Sequence, residues 1–134
     1  MKKPLQISIL LLLISLFATQ LSIAQITKTI GTGSSSTNNY PTNGYYNYSY
    51  SYSIYDATEI GMGGIINKIE YKISNSSNYT MANQKVYLLN TSTSTFSNGN
   101  YVNPTTLGAT LVYDGSVTWN GSGWDNIDLQ TNFT

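Results

Sequence analysis

From Tyr46 to Tyr55 the chain alternates strictly: Tyr46, Tyr48, Tyr50, Tyr52 and Ile54 share one parity, with Asn47, Ser49, Ser51 and Ser53 between them. Side chains two apart fall on one side of an extended chain, so a period of two reads as a half-buried strand. The rest of the chain beyond residue 24 agrees with this. Tyr, Thr, Val and Ile come in short runs separated by Gly, Asn and Ser clusters, and no amphipathic helix pattern appears there.

Further strands follow from the same reasoning. Ile26 to Ile30 is a candidate first strand, and Gly31 to Asn39 is a Gly/Ser/Thr/Asn loop. Gly61, Gly63 and Gly64 mark a turn. After it Ile65, Ile69, Tyr71 and Ile73 alternate with Ile66, Lys68, Glu70 and Lys72, so that one face is apolar and the other largely charged. Val86 to Leu89 is a short core strand. Thr91 to Pro104 is a long polar loop with Phe96, Tyr101 and Val102 as plugs. Leu107 to Tyr113 and Ser116 to Trp119 flank Asp114-Gly115, a pair that favours positive φ and hence a tight turn or bulge. Asn120 to Gly123 is another turn, and Trp124 to Gln130 is a last strand with Ile127 and Leu129 facing inward. Several short strands at turn-separated spacing point to an all-β, antiparallel β-sandwich, jelly-roll or immunoglobulin-like.

The amino terminus reads differently. Lys2 and Lys3 precede an apolar run from Ile7 to Ala18, and Ser22-Ile23-Ala24 stands before Gln25. This is the charged, apolar and small-residue order of a cleavable secretory signal peptide. The run is short of the roughly 20 residues that cross a bilayer as a helix. Residues 1–24 are therefore expected to be removed on export, and 25–134 to form a single secreted or cell-surface domain with no membrane association after cleavage.

Residues 25–134 carry four lysines, six carboxylates and no arginine, a net charge of −2. Scattered lysines cannot neutralise a phosphate backbone, which argues against nucleic acid as a partner. Cysteine is absent, so an oxidising destination supplies no disulfide. Histidine is absent as well, which removes the usual general base near neutral pH. Neither a G-x-S-x-G elbow nor an S-x-x-K pair occurs. Only carboxylates remain for catalysis. Asp56 and Glu59, three apart, fall on opposite faces of an extended chain, so no enzyme and no catalytic residue is expected.

Two features are left as candidate sites. Asp114, Asp125 and Asp128, with Asn120 and Asn126, offer hard oxygens for calcium if the fold gathers them at one end, although no EF-hand loop occurs and no other cofactor is indicated. Tyr46, Tyr48, Tyr50 and Tyr52, with Trp124, are candidate ligand contacts. Rings on an exposed face can stack on sugars while a phenol reaches a hydroxyl. Tyrosine is also simply a good strand residue that packs on cross-strand neighbours.

The stretches Gly44 to Tyr55, Glu59-Ile60-Gly61 and Gly64 to Ile69, then Leu111 to Val117 and Gly123-Trp124 before Ile127-Asp128-Leu129, resemble a β-sandwich accessory module recurrent in secreted Bacteroidetes proteins. The likeness spans roughly residues 27 to 134 and rests on turn and aromatic patterning. It implies a non-catalytic accessory module of large exported proteins, attached to peptidases, adhesins or repeat arrays. It also implies one or two further apolar strands beyond Phe133-Thr134, so the chain is expected to be a fragment with a sheet edge open to pairing. Two functions fit: binding or adhesion to a polysaccharide or cell-surface protein, or a structural spacer with no ligand of its own. A contiguous exposed aromatic patch on the Tyr46 to Tyr52 face would favour binding, and burial of that face would favour the spacer.

Overall fold

The computed structural model describes residues 25–33, 37, 40–74, 76–96 and 99–134. The signal peptide expected at 1–24 and part of the Gly31 to Asn39 loop lie outside them. Regular structure is mostly β. A short helix, α1 (Ala57–Ile60), precedes strands β1 (Ile66–Ser74) and β2 (Tyr79–Leu88), and a 3-10 turn (Pro104–Leu107) precedes β3 (Thr110–Trp119) and β4 (Ser122–Phe133). The strands make two antiparallel two-stranded sheets, β1 with β4 and β2 with β3. Both short connections, β1 to β2 and β3 to β4, therefore pass from one sheet to the other.

The alternation of β1 and β4 sets the β1–β4 sheet. Tyr71 and Ile73 of β1, with Ile127 and Leu129 of β4, point into a common core, as the sequence suggests. Lys68 and Glu70, two apart and so on the same face of β1, form an ion pair at 3.0 Å. The core also takes Met81 and Val86 from β2 and Tyr113, Val117 and Trp119 from β3, so one apolar cluster draws on both sheets. Trp119, with 4% of its surface exposed, is its largest buried side chain.

Two bulges shape the β2–β3 sheet. Met81 faces Val117 and Gln84 faces Gly115, so Ala82 and Asn83 together oppose Ser116. Asn83 accommodates the extra residue with φ 57°, left-handed backbone that Asn tolerates better than most residues. Further along, Val86 faces Tyr113 and Tyr87 faces Leu111, which leaves Val112 unpaired. The second bulge shifts the inward phase of β3: Val112 is buried to 1% exposure although its parity is opposite to that of Val117 and Trp119, while Leu111 is exposed.

Several expectations are corrected. Ile26 to Ile30 is not a strand, and Val86 to Leu89 is only the end of a strand that begins at Tyr79. Asp114-Gly115 is not a turn: β3 runs through it, with Asp114 opposite Lys85 and Gly115 opposite Gln84. The Tyr113 ring lies over Gly115, where an added Cβ would sit 3.1 Å from the phenol oxygen, and covers the bare backbone. An aromatic neighbour of this kind stabilises a glycine within a strand. The Tyr113 hydroxyl donates to Ser116 O at 2.7 Å, which fixes the ring there. Asp56 and Glu59 do not lie on a strand either. Asp56 caps α1, and Glu59 Oε2 accepts the Asp56 main-chain N–H at 2.8 Å. The helix ends at Gly61 in the left-handed conformation, φ 71°.

The largest difference falls on the tyrosine run. Tyr46 to Tyr55 joins neither sheet, and among the described residues none of its main-chain amides finds an acceptor. It bends at residues 46–48, and from Ser49 it runs on as an irregular arm held by side chains.

Candidate functional site

The arm begins at Tyr40, the residue that carries it into the core. The Tyr40 ring meets Tyr71 edge-on at 5.7 Å between centroids, and Tyr71 meets Trp119 in the same way at 6.0 Å. Thr42 Oγ1 lies 3.1 Å from Met81 Sδ, and Gly44 passes close over the Tyr79 ring, where a Cβ would approach Cε1 to 3.2 Å. These contacts lay residues 40–44 along the start of β2.

From Ser49 the arm presents two sides, as a strand would, and each side finds its own partners. On the odd side Ser51 Oγ donates to Pro41 O at 2.6 Å. The Tyr40 hydroxyl lies 2.6 Å from Ser53 Oγ and 3.2 Å from the Tyr55 hydroxyl. Burial raises the Tyr40 and Tyr71 phenols above their usual value and, helped by the hydrogen bond to Tyr40, pushes Tyr55 up to about 12. The three hydroxyls therefore stay protonated and act as neutral hydrogen-bonding groups.

On the even side Tyr50 and Tyr52 meet the Thr91 to Pro104 loop. Tyr52 Oη donates to Val102 O at 2.6 Å and accepts the Val102 N–H at 2.8 Å, so one phenol clasps both polar groups of a single loop residue. Tyr50 Oη donates to Gly99 O at 3.2 Å. The rings then cluster: Tyr50 with Tyr52 at 5.4 Å, Tyr50 with Tyr101 at 5.0 Å and Tyr52 with Phe96 at 6.0 Å, with interplanar angles of 51°, 61° and 37°. Phe96, Tyr101 and Val102 are not plugs. All three are substantially exposed, and with Tyr50 and Tyr52 they form one contiguous aromatic surface. The phenols of Tyr50 and Tyr52 are committed to the loop backbone, so ring faces and edges are what these two residues offer a ligand.

The remaining candidates separate. Tyr48 is 95% exposed, and Tyr46 packs edge-on against Tyr45 at 5.2 Å. Residues 46–49 form one wall of a shallow groove of about 200 Å³ whose other wall is Met81 to Gln84 at the β2 bulge. Trp124 lies on β4, in the other sheet, exposed opposite Lys72, and shares no ring contact with the arm.

The aspartates do not converge. Asp114 pairs with Lys85, which raises the lysine pKa. Asp125, 7% exposed, closes the β3–β4 turn by accepting the Asn120 main-chain N–H at 2.8 Å and its side-chain amide at 3.1 Å. Asp128 accepts the Asn126 side-chain amide at 3.0 Å. Among the described residues no three acidic side chains come together in a way that could hold a metal. No helix among them is long and apolar enough to cross a membrane. No protein-family profile, characterised protein or solved structure matches the chain.

The tyrosine alternation pointed to Tyr50 and Tyr52. It could not point to Phe96 and Tyr101, whose partners lie about fifty positions away in a polar loop with no periodicity of its own. The D-x-x-E spacing of Asp56 and Glu59 was a readable helix-start signature.

Proposed function

We propose that this chain is an exported, non-catalytic accessory module with a β-sandwich body, whose aromatic surface binds glycan on a polysaccharide or a cell-surface partner. One observation carries the reading: Tyr50, Tyr52, Phe96 and Tyr101 form a contiguous exposed cluster held in place by backbone hydrogen bonds. Isolated exposed aromatics are ordinary on a soluble protein, but an anchored contiguous group marks a contact surface. Fixing the rings before binding lowers the ordering cost on association. Sugars present apolar C–H faces that stack on such rings, and their hydroxyls tolerate a rim of Asn, Ser and Thr.

The signal-peptide pattern supports export, and the resemblance to the Bacteroidetes module supports an accessory role. The core shared by both sheets supports the sandwich. The sparsely charged, amide-rich surface, with its small net negative charge, favours sugars over an anionic polymer. The test is retention of the purified protein on insoluble polysaccharides and its retardation in gels containing soluble ones, with a Tyr50→Ala/Tyr101→Ala variant alongside. These two residues are chosen because Tyr52 also holds the loop. Loss of retention at an unchanged melting temperature is the expected result. No retention of the parent protein on any polysaccharide would leave a spacer in its place.

A further inference from the structure

Beside the ring cluster, the groove between residues 46–49 and the β2 bulge has a composition of its own. Among the described residues no ionisable acid or base other than phenols lines it. Asn47 and Asn83 line it, and among the described residues neither side-chain amide has a protein partner; Gln84, whose Nε2 donates to Ala82 O at 2.9 Å, has no such partner on Oε1. Among the described residues the hydroxyls of Tyr46 and Tyr48 likewise have no protein partner. An amide offers two donors and an acceptor with two lone pairs, and a phenol offers one donor and an acceptor. A wall of this kind matches a ligand that is rich in hydroxyls, uncharged, and apolar on one face.

The backbone at the bulge gives a second reason to read the groove as a site. Asn83 is the one described non-glycine residue with positive φ, at the point where β2 carries an extra residue. Bulges re-aim side chains, and residues held in sparsely populated backbone regions cluster where a side chain must point out of the regular pattern. In a regular strand the residue after Met81 would pair across β3 and Asn83 would follow the pleat; here the bulge sets it on the groove wall instead.

We infer that this groove is a subsite for one unit of a neutral glycan chain, with Asn83 as its hydrogen-bonding anchor and Tyr48 as its stacking wall, adjoining the ring cluster so that a single chain contacts both. The inference rests on the glycan reading of that cluster. Tyr48 and Tyr50 are two residues apart, no more than roughly 7 Å along the backbone, which places the groove wall next to the ring cluster. The mutual tilt of the rings favours a single twisted chain over a flat crystalline face, because tilted rings cannot all lie against one plane.

The test uses Asn83→Gly, because glycine keeps the positive φ and removes only the amide. Calorimetric titrations with the hexaoses of β-1,4-glucan, β-1,4-xylan, β-1,4-mannan and β-1,3-glucan, and with an oligogalacturonate as charged comparator, are run on four proteins. These are the parent, Asn83→Gly, Tyr48→Ala and the Tyr50→Ala/Tyr101→Ala variant, each checked for melting temperature. The parent is expected to bind at least one neutral hexaose in preference to the oligogalacturonate. Asn83→Gly is expected to weaken that binding by about threefold to tenfold, the range of one lost hydrogen bond, without lowering the melting temperature. Parent-like binding by both Asn83→Gly and Tyr48→Ala, with loss in the Tyr50/Tyr101 variant, overturns the subsite and leaves the ring cluster standing. Loss in Asn83→Gly with parent-like binding by the Tyr50/Tyr101 variant supports the groove and removes the cluster. Absence of binding to every neutral hexaose overturns both, and preference for the charged oligomer overturns the neutral-ligand assignment.

Discussion

β1 and the arm from Tyr46 to Tyr55 have the same sequence period and different fates. In β1, Ile69, Tyr71 and Ile73 alternate with Lys68, Glu70 and Lys72, and every residue from Lys68 to Ser74 faces a partner on β4. In the arm, tyrosines alternate with serines and asparagine, yet no neighbouring strand pairs with it, and its hydrogen bonds run through the Ser49, Tyr50, Ser51, Tyr52, Ser53 and Tyr55 side chains. A period of two specifies an extended chain with two distinct sides; it does not specify who satisfies the backbone. β1 places three apolar residues on one side, which pulls it into the core and against β4. The arm offers rings that each carry a hydroxyl, and those of Tyr50 and Tyr52 bind loop carbonyls instead. The body is held by burial, and the arm by side-chain hydrogen bonds and ring contacts on a surface.

Substitutions should divide along the same line. The largest effect belongs to the body. Trp119→Ala removes the ring on which Tyr71 packs and is expected to cost about 3–5 kcal/mol, a large share of the roughly 5–15 kcal/mol that holds a typical domain together. Denaturant titration would show a strongly lowered midpoint or no folded baseline. Next is Asp125→Ala, which strips the β3–β4 turn of both hydrogen bonds to Asn120. About 1–3 kcal/mol is expected, read from the same titration with an unchanged slope.

Alkali should loosen the contacts of Tyr55. The Tyr55 proton is held to about 12 in the folded protein, against an ordinary value of 10.0. The protonated, folded form is thus favoured in full below pH 10, and that contribution is lost as pH rises from 10 to 12. Phenolate absorbance should show a late-titrating fraction that moves back toward 10 in Tyr40→Phe, because the hydrogen bond to Tyr40 is one of the causes raising it. Titration of Tyr55 near 10 would contradict its burial against Tyr40. The smallest effect on global stability is expected from Tyr52→Phe, which keeps the ring and loses the clasp on Val102. The melting temperature should change little, while the Val102 amide, which loses its acceptor, should exchange with solvent markedly faster.

What could be read from the sequence follows the same physics. The inward faces of β1 and β4 were legible because burial leaves a one-sided apolar pattern. Asp114-Gly115 misled because its turn preference is local, whereas the Tyr113 ring covering Gly115 and the pairing with β2 are not. Val112 was illegible as the most buried residue because a bulge shifts the phase of its strand, and the bulge is written in no periodicity. At the candidate site Tyr46, Tyr48, Tyr50 and Tyr52 were legible as a group. Their division between a ring cluster and a groove was not, since it depends on where Phe96, Tyr101 and Val102 come to lie and on the backbone angle of Asn83. Trp124 and the three aspartates shared composition with the candidate sites but not position.

Residue-resolved amide hydrogen exchange tests the central contrast most directly. Amides from Tyr46 to Tyr55 are expected to exchange orders of magnitude faster than those of Val117 and Ile127, even though the rings of Tyr50 and Tyr52 give sharp, well-dispersed signals. Protection of the arm equal to that of the strands would mean that it is paired in a sheet, and would contradict the description of an unladdered arm displaying an ordered aromatic surface.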